Sequence, residues 1–242
     1  MKQFCLIFKI AQAVVALFIL VISTGCGPLP RVELDQAKAK DIKKIGIIEI
    51  KPPINTNVEN LGGAGDAFGL IGGLVQVGVS GSRSEIFQKA LSERQVPIIA
   101  HLADSIQSEL RSYHYDVVYL MGQATSRQND ATGDYSDIKT DADAVLNVWI
   151  TQFGYISPRS IKYYIPFVVI RARLLNRTTR QEIYFKTYKC GYEFEKGELD
   201  FVPSRYQFPS FDDLMANFKE TSKGLLTCES DIAKMIAYDL KR

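Results

Sequence analysis

The sequence predicts an α+β fold: a single mixed or antiparallel sheet with helices packed on one face, and a glycine-rich insertion after the first strand. Three observations carry that reading. Residues 144–190 hold three strand patterns in quick succession. Ile98, Leu102, Ile106 and Leu110 recur four apart, and Ile232, Met235, Ile236 and Leu240 make a second stripe, so each segment reads as a helix with one apolar face. Residues 44–50, KIGIIEI, form a short β-rich run stopped by Pro52 and Pro53.

Taken in order, residues 45–50 are the first strand, and helical spacing follows over 84–91 and 98–110, with Pro97 at a helix start where its missing N–H costs little. Residues 115–120 are a second strand, and the polar stretch 123–141 has too few apolar residues to bury itself. In the next strand Ala144, Leu146, Val148 and Ile150 share one face, with Val145, Asn147, Trp149 and Thr151 on the other. Val168, Ile170, Ala172 and Leu174 point inward from the following strand, with Val169, Arg171 and Arg173 outward. Residues 176–180 are a polar turn into the strand 183–190, so the pair reads as a hairpin. Ser210 and Asp213 form a helix-opening capping pair, Gly224 is a candidate interruption, and a last helix runs to the end with Lys241 and Arg242 against its dipole.

The amino terminus is the strongest functional signal. Lys2 and Lys9 precede an apolar run over residues 10–22, which ends in Ser23-Thr24-Gly25-Cys26. Thirteen residues including Gln12 are too few to span the bilayer, which needs about 20. The pattern is a signal peptide. Small residues directly before a cysteine resemble the bacterial lipobox, which implies that Cys26 is acylated and becomes the first mature residue. Ser23 stands where that pattern favours an aliphatic side chain. Several acyl chains at about 0.8 kcal/mol per buried methylene would hold the protein stably at a membrane. Gly27, in place of Asp, implies the outer membrane. The expected organisation is therefore a signal peptide over 1–25, a tether over 26–41 and a periplasmic domain over 42–242, with the glycine-rich insertion at 61–81.

The full chain carries 29 basic and 27 acidic residues, and loss of residues 1–25 removes two lysines and no acid. A mature chain with balanced charges does not suit nucleic acid, whose phosphates demand a basic face. Cys5 leaves with the signal peptide and Cys26 takes lipid. Cys190 and Cys228 remain, and in an oxidising compartment they either pair, closing a loop of about 38 residues, or stay separate as buried thiols.

Eight glycines lie between Leu61 and Gly81, and Gly65, Gly69 and Gly73 fall four apart among Phe68, Leu70, Ile71, Leu74 and Val75. Such spacing lets helices approach closely, so the segment is expected to contact a membrane or another subunit. A nucleotide loop is poorly matched, because Pro52-Pro53 breaks the tight strand-to-helix turn and no GxxxxGK[ST] exists.

Signs of chemistry are sparse. His101 and His114 show no metal-ligand spacing, Gly78-Val79-Ser80-Gly81-Ser82 fails the nucleophile-elbow pattern, and Asp141/Asp143 and Asp212/Asp213 sit at element starts, where carboxylates cap. No metal, no cofactor and no catalysis are expected. Tyr155, Tyr163, Tyr164, Tyr184, Tyr188 and Tyr192 cluster on or beside the meander, a composition that suits either a protein interface or a sheet core.

The element order and the segments KIGIIEI, DADAVLNVWITQFGYI, YIPFVVIRARLLN and IAKMIAYDL resemble bacterial envelope lipoproteins with a TolB-amino-terminal or curli-secretion-lipoprotein (CsgG-like) α/β domain. The resemblance implies a non-catalytic periplasmic domain that assembles with itself or with other envelope proteins. The hairpins that would build a CsgG-like transmembrane barrel are missing. The expectation is a structural or accessory subunit of an envelope or secretion assembly, with a lipoprotein that binds small ligands or polysaccharide as the alternative.

Overall fold

The computed structural model describes residues 31–53, 55–62, 69–123, 125, 135–159, 161–193, 198–199 and 202–241. The expected signal peptide and Cys26 lie outside them. Mixed pairing organises the fold. β1 (Lys44–Ile48) lies parallel between β3 (Asp116–Leu120) and β4 (Ala144–Ser157). β4, β5 (Ile165–Asn176) and β6 (Glu182–Glu193) then form an antiparallel meander, and the sheet order is β3-β1-β4-β5-β6-β7, with β7 at Glu198–Leu199. A strand with parallel neighbours on both sides is buried on both faces, which explains why β1 reads as an apolar run rather than an alternation.

The sequence gives no hint of β2 (Asn57–Asn60), which pairs parallel with the far end of β4 and precedes the glycine-rich stretch. Gly154 makes room for it. This residue has φ +150°, and a Cβ there would sit 1.8 Å from the Asn57 carbonyl oxygen.

Helices α2 (Gly69–Glu93), α3 (Ile98–Ser112) and α5 (Phe218–Asp239), with the short α1 (Gln36–Ala39) and α4 (Phe211–Ala216), complete the α+β architecture. α3 and α5 bury Leu102, Ile106, Leu110, Ile232, Ala233 and Ile236 against Leu146, Val148, Ile150, Val168, Ile170 and Leu174 of the sheet. Both registers are the ones the two-residue and 3.6-residue periods predict. Ser210 caps α4 by accepting from the Asp213 N–H at 3.0 Å.

Gly224 does not interrupt α5, which is continuous. Its glycine answers to packing instead, because an added Cβ would lie 2.5 Å from the Tyr155 hydroxyl and 3.2 Å from the Tyr206 ring. Part of the polar stretch before β4 is buried too. Tyr135 and Ile138 pack with Ile48, Leu120, Val145 and Leu175 on the sheet face opposite the helices.

Residues 31–41, assigned to a tether from sequence, are docked over much of their length. Val32 and Phe185 exchange backbone hydrogen bonds of 2.7 and 2.9 Å across the β6 edge, the Asp35 N–H donates to the Ile183 carbonyl, and Ala39 and Ile42 join the core.

Candidate functional site

Cys190 of β6 and Cys228 of α5 are joined by a disulfide, with Cα atoms 5.4 Å apart and a sequence separation of 38. On the chain-entropy argument a loop of that length contributes about 4 kcal/mol. The bridge clamps the last helix onto the sheet. Of the predicted contact glycines, Gly65 lies outside the described residues, while Gly69 and Gly73 fall in the first turns of α2, whose surroundings also lie outside them.

The tyrosine cluster is mostly core. Tyr155, Tyr164, Tyr184 and Tyr188 are all buried, so within this chain they offer no surface to a partner, and only Tyr163 is well exposed. Each buried hydroxyl is used internally. Tyr155 donates to the Thr221 carbonyl at 2.8 Å, and the Tyr164 hydroxyl accepts from Arg83 Nη1 at 2.9 Å. The Tyr184 and Tyr188 hydroxyls lie against each other and each comes within reach of Asp239 Oδ2, at 3.0 and 2.8 Å, where Lys186 also pairs. Burial drives both tyrosines well above the usual phenol range. Burial would also raise Asp239, but Lys186 and the two hydroxyls outweigh it and hold the carboxyl below its ordinary value.

A second polar cluster joins α3 to α5. Glu229 is fully buried, its Oε2 lies 3.0 Å from His101 Nδ1, and His101 Nε2 lies 3.4 Å from Ser230 Oγ. Burial pushes the Glu229 carboxyl up to about 7, against a smaller lowering by His101. Nothing local in the sequence signals this pair, because its members stand 128 positions apart. The order hydroxyl, imidazole, carboxylate is that of a nucleophilic triad, yet Ser230 sits inside a continuous helix whose backbone amides are spent on helical bonds.

The third cluster lies on the sheet face that no described helix covers. Arg173 pairs with Glu182 at 2.7 Å and stands over the rings of Phe185 and Trp149, at 4.8 and 5.7 Å, while those two rings stack at 6.1 Å. Asn147 donates to the Tyr135 hydroxyl at 3.0 Å. Four polar atoms of the two cross-strand rows Asn147-Arg173-Phe185 and Trp149-Arg171-Thr187 are buried without a hydrogen bond to any described residue: Asn147 Oδ1, Trp149 Nε1, Arg171 Nε and Thr187 Oγ1. An unmade buried bond costs about 1–3 kcal/mol, and the helical side carries that cost at Glu229 Oε1.

A cavity of about 380 Å³ opens at the hairpin end of the sheet, lined by Lys38, Asp41, Asp143, Asn176, Arg177 and Gln181 among others. Asp143 there accepts from the Lys43 and Lys44 amides at 2.8 Å each, which hold its carboxyl below the usual range. Asp141, its neighbour, pairs with Lys44 at 2.7 Å. Both acids thus serve the start of β1 and β4. Among the described residues no group of three or more His, Cys, Asp or Glu side chains is placed to hold a metal ion.

No protein-family model and no curated protein matches the chain. Solved structures do. Protein XCC0632 of Xanthomonas campestris, of family DUF330, aligns over 87% of this chain and 90% of its own at 9% identity, with a TM-score of 0.43. The PelC dodecamer of Paraburkholderia phytofirmans aligns over 88% and 95% at 10% identity, with a TM-score of 0.38. Lipoprotein GNA1162 of Neisseria meningitidis aligns over 60% and 81% at 15% identity, with a TM-score of 0.27. Likenesses this distant carry no argument about function. The closer resemblance to a TolB-amino-terminal or CsgG-like domain gains no support from these likenesses.

Proposed function

We propose that the chain is a non-catalytic lipoprotein of the outer membrane, anchored through Cys26, that serves as a structural or accessory subunit of a multiprotein envelope or secretion assembly and associates with copies of itself. The observation that carries this reading is the amino-terminal pattern, two lysines, a thirteen-residue apolar run and Ser-Thr-Gly before Cys26. The internal use of the ionisable clusters supports it: the His101–Glu229 pair, the Asp239 cluster and the Arg173–Glu182 pair each tie one element to another. Mass spectrometry of the natural amino terminus tests the anchor, and the expected result is a triacylated Cys26. Cross-linking and purification from detergent-solubilised envelopes test the assembly, where a lone monomer would sink the subunit role.

The second reading, a small-ligand or polysaccharide-binding lipoprotein, draws on the polar cavity between α1 and the β5–β6 turn, whose amide, hydroxyl and mixed-charge lining suits a polyhydroxylated neutral ligand. An oligosaccharide-dependent rise in melting temperature, abolished by Asn176→Ala, would favour it.

A further inference from the structure

Resting on the lipoprotein reading, we infer that the carboxy-terminal turns of α5 and the adjoining β6 edge face the phospholipid headgroups of the membrane that holds the anchor.

The argument starts from the length of chain before the docked segment. From Cys26 to Arg31 there are five residues, which span about 17 Å when fully extended. At Val32 the chain is already fixed, because its N–H and C=O pair with Phe185. The β6 edge around residues 185–186 is therefore held within about 25 Å of Cys26, six extended residues to Val32 plus one strand spacing, whatever path the chain takes.

The same edge meets the end of α5. Lys186, next to Phe185, pairs with Asp239, and Tyr184 donates to the same carboxylate. Around Asp239, α5 turns an unusual set of side chains outward. Met235 is 38% exposed and Tyr238 is 56% exposed, two of the six large hydrophobic residues left in solvent among the described ones. Lys234 and Met235 lie four and three residues before Tyr238 and so flank it on one side of the helix, and Lys241 follows just past the helix end. Lys241 Nζ lies 3.4 Å from the centre of the Tyr238 ring. An aromatic ring with a polar tip, a thioether and long lysines are the side chains that suit the boundary between water and hydrocarbon.

Charge selects the kind of lipid. Lys234 is paired with Asp231 at 3.0 Å, Lys186 with Asp239 and Arg31 with Glu33, so the patch carries little net charge. It fits a zwitterionic surface and gains little from anionic lipid.

The test uses the full chain, processed in cells and reconstituted into phosphatidylcholine vesicles containing a headgroup-labelled nitroxide lipid. In the mature protein Cys26 is acylated and Cys190 is bonded to Cys228, so Tyr238→Cys or Met121→Cys supplies a single free thiol for a fluorophore. Met121 follows β3, four strand spacings or about 19 Å across the sheet from β6, and is 74% exposed. The expected result is quenching at position 238 at least about twofold stronger than at 121, unchanged in high salt. On the unlabelled chain, hydrogen exchange should slow over residues 234–241 on vesicles relative to detergent. Equal quenching at the two sites with Cys26 acylated overturns the inference alone. An unacylated Cys26 in the same sample overturns the lipoprotein reading and this inference with it.

Discussion

The two faces of one sheet are built on opposite terms. On the helix-covered face, alternate residues over 144–150 and 168–174 are aliphatic, and the hydroxyls that enter the layer find partners: Tyr155 meets the Thr221 carbonyl, and Tyr184 and Tyr188 meet Asp239, while Glu229 Oε1 is left without one among the described residues. On the other face β4, β5 and β6 present Asn147, Trp149, Arg171, Arg173 and Thr187, and Asn147, Trp149, Arg171 and Thr187 each leave a buried polar atom without a bond to a described residue. Burial alone therefore says little about how a face is stabilised. Among the described residues the helical layer is clamped and leaves one such atom, Glu229 Oε1, whereas the opposite face leaves four beside its ring stacking and arginine–glutamate pair.

The contrast can be broken most forcefully at the clamp. Replacing Cys228 by Ala should cost about 4 kcal/mol in urea unfolding, and Cys190→Ala should match it, because both release the same loop. A small loss in either variant would mean that packing alone holds α5.

The next largest effect is pH-dependent. The folded-state value of Glu229, about 7, lies above its ordinary 4.5, so the folded chain binds that proton more tightly than the unfolded one. The stability it confers is complete below about pH 4.5 and disappears as pH rises through 7, a change of about 3 kcal/mol over that window. Glu229→Gln should flatten this part of the profile in thermal melts between pH 5 and 8. A variant profile parallel to that of the natural chain would show that the seam between α3 and α5 does not titrate.

A smaller loss is expected from Gly224→Ala. The new Cβ meets the Tyr155 hydroxyl at 2.5 Å, and displacing that ring costs about 2 kcal/mol. Finally, a matched pair sharpens the comparison of faces. Tyr155→Phe removes a made bond and should cost about 1.5 kcal/mol, whereas Trp149→Phe deletes an indole N–H that bonds to nothing and should cost about 1 kcal/mol or less, chiefly as lost packing area. Equal costs from equilibrium unfolding would erase the distinction.

How much of this was legible beforehand depended on the range of the interaction. The inward sets Ala144-Leu146-Val148-Ile150 and Val168-Ile170-Ala172-Leu174, the stripe of α3 and the Ser210 cap follow from local period or local chemistry and stand in the structure, as does the stripe of α5 except for Met235, which turns outward. β2 escaped notice because NVEN has neither apolar alternation nor length, and its place depends on a glycine almost a hundred residues later. The tyrosines were open to misreading as interface residues for a related reason. Whether a phenol can be buried depends on finding an acceptor, and those acceptors, Thr221 and Asp239, come from a helix that the meander sequence does not contain. The His101–Glu229 pair is equally remote in sequence, and neither residue advertises the other.

The pairing of Val32 with Phe185 and of Asp35 with Ile183 sets how tension along the amino-terminal chain would be borne. The segment runs antiparallel to β6, so a tug along the strand direction strains these backbone bonds side by side in shear rather than peeling them one at a time. Under the proposed anchoring at Cys26, movement of the bilayer would reach the hydrophobic interior only after that short splice had slipped.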